Sequence, residues 1–286
     1  SMAIEAHNGE VDVKTAYVPG IDSFAIKMSP GFFDNPTIGL PSTSGLMVLF
    51  SAKTGVLEAL LLDNGYLTDI RTAAAGAVAA RHLSRDDSRK ACVIGAGAQG
   101  ALQLKALCLV RPIEQAAIWA RDPSKAKALA KRLTKELDIN VTAAQDISNA
   151  VTEADIIVTT TPASTPLIMA NWLRPGQHIT AMGSDQHHKN ELQSECLVRA
   201  NLYVPDRQSQ TEKLGELHHA LNDGLIDSNK IFPELGNIVA GLTTGRRSAD
   251  DITICDLTGT GVQDTAIATL ALQCAESSGA GTQFNN

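Results

Sequence analysis

The sequence predicts an α/β protein: a parallel sheet covered by helices on both faces through the middle of the chain, and a smaller strand-rich domain at its start. Three observations carry this. From Lys90 onward a rhythm of apolar run, turn and amphipathic helix repeats, as right-handed βαβ units require. The first seventy residues instead carry short alternating segments between Pro/Gly turns, which is strand chemistry. The 286 residues also exceed what a single hydrophobic core commonly organises.

In chain order, the alternation predicts strands over Val11–Val18, Ser23–Met28, Leu46–Ser51 and Val56–Leu62, with turns at Pro19-Gly20 and Pro30-Gly31. The Ala-rich stretch Thr72–Leu83 suits a closely packed helix linking two domains. The rhythm then gives a strand at Ala91–Ile94, a helix at Gln99–Val110, a strand at Ala116–Ala120 and a helix at Pro123–Leu137. Further strands are expected at Asn140–Ala143, Asp155–Thr160, His178–Met182, Leu202–Val204 and Ile252–Asp256. The apolar helix Val262–Glu276 closes the chain and returns to the first domain. The expected boundaries place 1–72 with 258–286 in one domain and 73–257 in the other.

Composition narrows the function classes. With 44% hydrophobic and 19% charged residues the chain is an ordinary globular protein, which sets aside disordered, collagen-like and disulfide-scaffold classes. Lys+Arg 24 against Asp+Glu 31 leaves a net charge of -7, with no basic stripe for nucleic acid or an anionic membrane surface. The cysteines, Cys92, Cys108, Cys196, Cys255 and Cys274, are odd in number and form no CxxC pair. They read as buried thiols of a reducing compartment, so a cytoplasmic location is expected. No apolar run approaches the roughly 20 residues of a membrane-spanning helix, and a basic stretch followed by an apolar signal core is absent. The opening at Ser1 suggests a trimmed leading segment.

Gly95-Ala96-Gly97-Ala98-Gln99-Gly100 is a GxGxxG directly after an apolar strand and at the start of an amphipathic helix. In that context the first Gly permits the tight turn, the second lets backbone amides approach a pyrophosphate, and the third allows helix to pack on strand. The central domain is therefore expected to be a Rossmann domain holding NAD or NADP at the helix N-terminus. At the end of the next strand Ala120 cannot accept a bond from the ribose 2′-hydroxyl, and Arg121 suits a 2′-phosphate. NADP is thus somewhat favoured, while Asp122 keeps NAD open.

Arg71, in Leu67-Thr68-Asp69-Ile70-Arg71-Thr72-Ala73-Ala74, reads as an Arg at a strand-to-helix junction. It can set its fork on a carboxylate or a cofactor phosphate, or form a helix-start ion pair with Asp69. Several further motifs then follow in order: Lys27 in Phe24-Ala25-Ile26-Lys27, Thr54-Gly55 to Asp63, Thr161 after a strand, Gly183-Ser184-Asp185 with Lys189, Gly236 to Gly241, and Gly259 to Asp264. Together with Arg71 and the glycine loop, this series resembles the ornithine cyclodeaminase/mu-crystallin family over about Val11 to Glu276. Within it, Lys27-Met28-Ser29-Pro30-Gly31-Phe32-Phe33-Asp34-Asn35-Pro36 and Leu60 to Arg71 are most similar to the cyclodeaminase-like proteins of ectoine utilisation.

The resemblance implies a substrate and dimer domain built from both chain ends, with a Rossmann domain between. It implies NAD(P)-linked chemistry at the carbon–nitrogen bond of an amino or imino acid: reduction of an imine, or cyclisation of ornithine with loss of ammonia. Residue by residue, it makes Lys27 and Arg71 the pair that holds the substrate carboxylate, with Lys27 also counted as catalytic. Thr43, Ala98, Gln99, Thr161, Met182, Gly183 and Lys189 become dinucleotide contacts, with Arg71 available to the cofactor as well. Asp185 becomes the proton donor, a carboxyl near the nicotinamide being able to protonate an imine or hold its iminium. On the residues alone, Asp185 also reads as a cap for a helix at Lys189-Asn190-Glu191-Leu192.

The sequence departs from the family in lacking a carboxylate-binding Arg some two dozen residues before Lys27, a role Lys14 could fill, and in carrying Leu257-Thr258 where relatives have a Ser and its apolar neighbour. Thr258 is kept as a substrate contact. Three cations, Lys14, Lys27 and Arg71, around one site predict a carboxylate-rich substrate, possibly dicarboxylic. The adjacent pairs His187-His188 and His218-His219 lack HxxxH spacing, so no metal is expected. The expected protein is an NAD(P)-dependent imine reductase of a small amino acid. A cyclodeaminase and a non-catalytic crystallin-like ligand binder are its alternatives, and in each case a homodimer is expected.

Overall fold

The computed structural model describes residues 1–284, which divide into two compact units, one of residues 1–72 with 260–284 and one of residues 73–259. In the first unit five antiparallel strands run in simple order: β1 (Met2–Ile4), β2 (Gly9–Ala16), β3 (Ser23–Phe32), β4 (Leu46–Ser51) and β5 (Leu57–Leu61). The period-2 pattern sends Ala25, Lys27, Met47 and Leu49 to one face, where they are buried with Ala268 of the closing helix. On the same side, the Thr265 hydroxyl accepts the Ala25 N–H at 3.1 Å and donates to the Ala16 carbonyl at 2.8 Å. Phe24, Ile26, Val48 and Phe50 take the opposite face, partly exposed, with Leu60 beside them 55% exposed and Phe24 stacked on Phe50 at 5.5 Å.

Pro30-Gly31 does not form the expected turn. β3 continues through it to Phe32, pairing Val11 with Pro30 and Glu10 with Gly31. β1 was not anticipated, because three residues offer too little alternation to read.

The second unit is a seven-stranded, wholly parallel sheet. Its strands are β6 (Lys90–Ile94), β7 (Gln115–Trp119), β8 (Asn140–Ala143), β9 (Ile156–Thr159), β10 (His178–Ala181), β11 (Leu202–Pro205) and β12 (Thr253–Asp256), in the order β11-β12-β10-β9-β6-β7-β8. The order reverses between β6 and β9, the point where ligands bind in such sheets. The sequence located all seven strands but not the insertion of β12 between β10 and β11, which rests on pairing between distant segments.

Nine helices are seen among the described residues. α1 (Tyr66–Leu83) is followed by α2 (Ala98–Cys108) and by α3 (Pro123–Leu137), which buries Ala126, Leu129, Ala130 and Leu133 at helical spacing. After these come α4 (Ile147–Glu153), α5 (Glu195–Arg199), α6 (Gln208–Thr211), α7 (Gly215–Asn222), α8 (Leu235–Val239) and the closing α9 (Gly261–Ser278). The sequence reading missed α4 to α8, all of eight residues or fewer and too short to show a period. α1 begins six residues before the expected Thr72, because the Asp63 carboxylate accepts the Leu67 N–H at 2.6 Å and caps the first turn. No helix among the described residues is long and apolar enough to cross a membrane.

Candidate functional site

In the second unit the glycine loop joins β6 to α2, and each glycine has its own reason. Gly95 has φ +122°, and a Cβ there would lie 2.4 Å from the Thr160 hydroxyl. A Cβ on Gly100 would lie 2.2 Å from the Gly95 carbonyl oxygen, so only glycine lets α2 pack against the turn. Gly97 is different. Its φ of -86° suits any residue, and a Cβ there would meet no atom within 4 Å. Nothing among the described residues demands glycine at 97, and the space over the exposed Gly97 and Ala98, at the N-terminus of an 11-residue helix, is open. Gln99 follows in the first turn, its side-chain oxygen accepting from Gln103 at 3.3 Å, while Gln103 also reaches the Met182 sulfur.

At the end of β7, Ala120 is half-buried and Arg121 exposed. Asp122 caps α3 by accepting from the Ser124 N–H at 2.9 Å and the Ser124 hydroxyl at 2.6 Å, bonds that hold its carboxyl below the usual carboxylate range. The capping role was missed in the sequence, although Asp-Pro-Ser before an amphipathic run is a helix-start signature.

The loops leaving β9 and β10 carry Thr161 and Gly183-Ser184-Asp185. The segment from Asp185 to Leu192 is a loop with a turn, not a helix, so Asp185 is not a helix cap. Its Oδ1 accepts from Lys189 Nζ at 2.6 Å, with the Asp185 side chain 45% exposed and that of Lys189 12%. Thr258 is buried: its hydroxyl donates to Asp206 Oδ1 at 3.0 Å and accepts from Gln210 Nε2 at 2.9 Å, so its proton is already committed.

In the first unit Lys27, 2% exposed, lies at the middle of β3 directly across from Lys14 of β2. Arg71 is the sixth residue of α1, inside the helix rather than at a junction, and its ion-pair partner is Asp264 of α9. Asp264 is fully buried. Its Oδ1 lies 3.5 Å from Lys27 Nζ and 3.0 Å from Arg71 Nε, and Arg71 Nη1 donates to Gln263 at 2.9 Å. Neither Asp264 oxygen, nor Arg71 Nε, receives or makes a well-directed hydrogen bond among the described residues, so the cluster is held by charge more than by geometry. Burial pushes the Lys27 ammonium down to about 8, the Arg71 and Lys14 charges adding to this and Asp264 opposing it.

Asp264 alters the three-cation expectation: Lys27 and Arg71 flank an anion, and the repulsion among Lys14, Lys27 and Arg71 is partly answered from within the chain. The available signal was a lone acid in the first turn of an otherwise apolar helix. Thr43, exposed, pairs with Gly31 in an isolated bridge of the first unit. The His187–His188 and His218–His219 rings meet edge to face, and no group of three or more potential metal-binding side chains is found among the described residues.

The sequence pattern of the ornithine cyclodeaminase/mu-crystallin family matches residues 1–279. An uncharacterized cyclodeaminase of Sinorhizobium fredii is 62% identical over 278 residues, covering 97% of this chain and 84% of that protein. Among solved structures, Thermococcus litoralis Δ1-pyrroline-2-carboxylate reductase with NADH and L-proline is 33% identical, with a TM-score of 0.93 over 99% of this chain and 87% of that one. The iminosuccinate reductase of Paracoccus denitrificans with NAD+ is 30% identical, with a TM-score of 0.91 over 99% and 86%.

Proposed function

The chain belongs to the ornithine cyclodeaminase/mu-crystallin family, and from that premise we propose that it is an NAD(P)H-dependent reductase of a small imino acid. The observation that carries this reading is the buried Lys27–Arg71–Asp264 cluster, a net cationic seat for a carboxylate, in a chain that also has a dinucleotide loop with open space over Gly97. The relatives solved with NADH or NAD+ support the nicotinamide cofactor.

In this proposal Lys27 and Arg71 hold the substrate carboxylate, with Lys14 adding charge. The α2 N-terminus, with Gly97 and Ala98, holds the pyrophosphate. Thr43, Gln99, Ala120, Arg121, Thr161, Met182, Gly183 and Lys189 complete the dinucleotide contacts. A bound reduced nicotinamide supplies hydride to the imine carbon. An imine accepts hydride readily only as its iminium, and Asp185 is the group assigned to protonate it or balance its charge. Lys189 Nζ lies 2.6 Å from Asp185 Oδ1 and holds that carboxyl in place. Thr258 is kept as a substrate contact, oriented by Asp206, which also accepts the Gly259 N–H at 2.7 Å. The test is loss of NADH or NADPH absorbance with pyruvate plus ammonia, iminosuccinate generated in place, or a cyclic imino acid. Silence with all three despite tight cofactor binding points to the non-catalytic binder, and proline formed from ornithine with catalytic NAD points to the cyclodeaminase.

The lowered Lys27 value gives this reading a pH signature. Of the two forms of Lys27 only the ammonium attracts the carboxylate, and kcat/KM reports the free enzyme, so kcat/KM falls as pH rises through about 8, toward the level that Arg71 and Lys14 sustain, while kcat changes little. A kcat/KM profile flat from pH 7 to 9.5 removes Lys27 from substrate binding. Arg121→Ala is expected to weaken NADPH more than NADH, as loss of a 2′-phosphate partner must; equal effects make Arg121 a surface charge. The apolar outer face of the β1–β5 sheet, with Ile26, Val48, Phe50 and Leu60, is proposed as a homodimer surface. Light scattering should give about twice the 30.2 kDa chain mass, and Val48→Glu should shift it toward the monomer; a wild-type mass near 30.2 kDa at micromolar concentration rejects the dimer.

A further inference from the structure

Glu191, which the sequence reading passed over, is fully buried on the segment that follows the Asp185 loop. Its Oε1 accepts the Thr161 N–H and the Thr161 hydroxyl, each at 2.6 Å, and its Oε2 accepts the Gly183 N–H at 2.8 Å. One carboxylate thus ties together the loops leaving β9 and β10, which are neighbours in the sheet. Gly183 is what lets it close: a Cβ there would lie 2.4 Å from Glu191 Oε2 and 2.2 Å from the Thr161 carbonyl oxygen. A second buried acid, Glu216 of α7, holds the clamp from behind. It accepts the Ser184 hydroxyl, the Glu191 N–H at 2.9 Å and the Leu192 N–H at 3.1 Å.

Burying an acid is costly, and burial pushes both carboxyls up from their usual range, with neighbouring acids adding to it at Glu216. The donor set explains why an acid is nevertheless used. Three donors converge from two directions, and an ionised carboxylate is the side chain whose two oxygens both only accept.

We infer that Glu191 is a positioning residue for the dinucleotide site: by bridging Thr161 and Gly183 it fixes the two strand-end loops against which the cofactor binds. The inference rests on the proposed assignment of Thr161, Met182 and Gly183 to the cofactor. Glu191 touches neither cofactor nor substrate in this role and acts through the backbone it holds.

The test compares wild type, Glu191→Gln and Glu191→Asp by fluorescence titration with NADH and NADPH, alongside thermal midpoint and KM for whichever imino acid is turned over. Gln keeps the size but turns an NH₂ toward one of the donors; Asp keeps both oxygens but is a methylene too short to span the two loops. The dissociation constant for the preferred dinucleotide is expected to rise at least tenfold in Glu191→Gln and less in Glu191→Asp, with KM for the imino acid changed less than twofold. Combined with Thr161→Val, Glu191→Gln should weaken binding by less than the product of the single effects, because both remove the same contact. A folded Glu191→Gln with a lowered thermal midpoint but dinucleotide affinity within twofold of wild type makes Glu191 merely structural and overturns the inference. If Glu191→Gln does not fold, Glu191→Asp carries the same decision. Failure of the wild type itself to bind NADH or NADPH is the separate result that removes the cofactor reading.

Discussion

Asp185→Asn is expected to lower turnover by about 10² to 10⁴ while dinucleotide affinity stays within a few-fold of wild type. The substitution keeps the shape of the side chain and its ability to accept from Lys189, now 2.6 Å away, but removes the charge and the titratable proton. An iminium approaching that position then has neither a counter-charge nor a proton source, so the loss falls on kcat. In the proposed site the dinucleotide is held by the Gly95–Gly100 loop and by the loops that Glu191 bridges, not by the Asp185 carboxylate, so its affinity should persist. Because Asp185 is 45% exposed on a loop and supports no helix, the variant should fold, and its thermal midpoint should match wild type. Stopped-flow measurement of a single hydride transfer, beside a titration of NADH, separates the two effects. Full activity in Asp185→Asn leaves Asp185 as a surface ion pair with Lys189 and returns the proton-handling role to an unassigned group.

Gly97→Val is the second large effect, and it is the mirror of the first: cofactor binding collapses by at least about 10²-fold while the fold survives. The survival follows from the open space around position 97 and its ordinary φ of -86°, which a branched residue tolerates. The collapse follows from the same space being filled, since backbone amides must come close to a pyrophosphate there and an isopropyl group prevents it. Gly95→Val and Gly100→Val make the contrast. Their Cβ atoms would drive into Thr160 and into the Gly95 carbonyl, so these variants should lose stability as well as binding. Calorimetric titration of NADH and NADPH against thermally intact Gly97→Val decides the matter. Unchanged affinity there means that the loop is a strand-to-helix turn and nothing more.

Much of the scaffold is legible in the sequence because it is written in local patterns. A short apolar run marks β4, and the amphipathic spacing of Ala126, Leu129, Ala130 and Leu133 marks α3, whose bounds Pro123–Leu137 coincide with the expectation. Arg71 was also visible as a chemical residue but was misplaced. The apolar Leu67 and Ile70 before it look like the end of a strand, and only the cap from Asp63 shows that α1 has already begun.

What the sequence determined by itself was the fold class and the glycine-rich turn between β6 and α2, because each declares itself through residue type and spacing over a few turns of chain, while Lys14 and Lys27 stood out only through the family resemblance. What only the tertiary structure decided was the company these residues keep. Asp264 lies 237 positions from Lys27 in the chain, yet shares its charge with it in the closed core of the first unit. Glu191 meets Thr161 and Gly183 because parallel pairing puts the ends of β9 and β10 side by side. No local pattern encodes either meeting. A buried acid looks like any surface acid until the fold removes its water, and only then do its partners come into being.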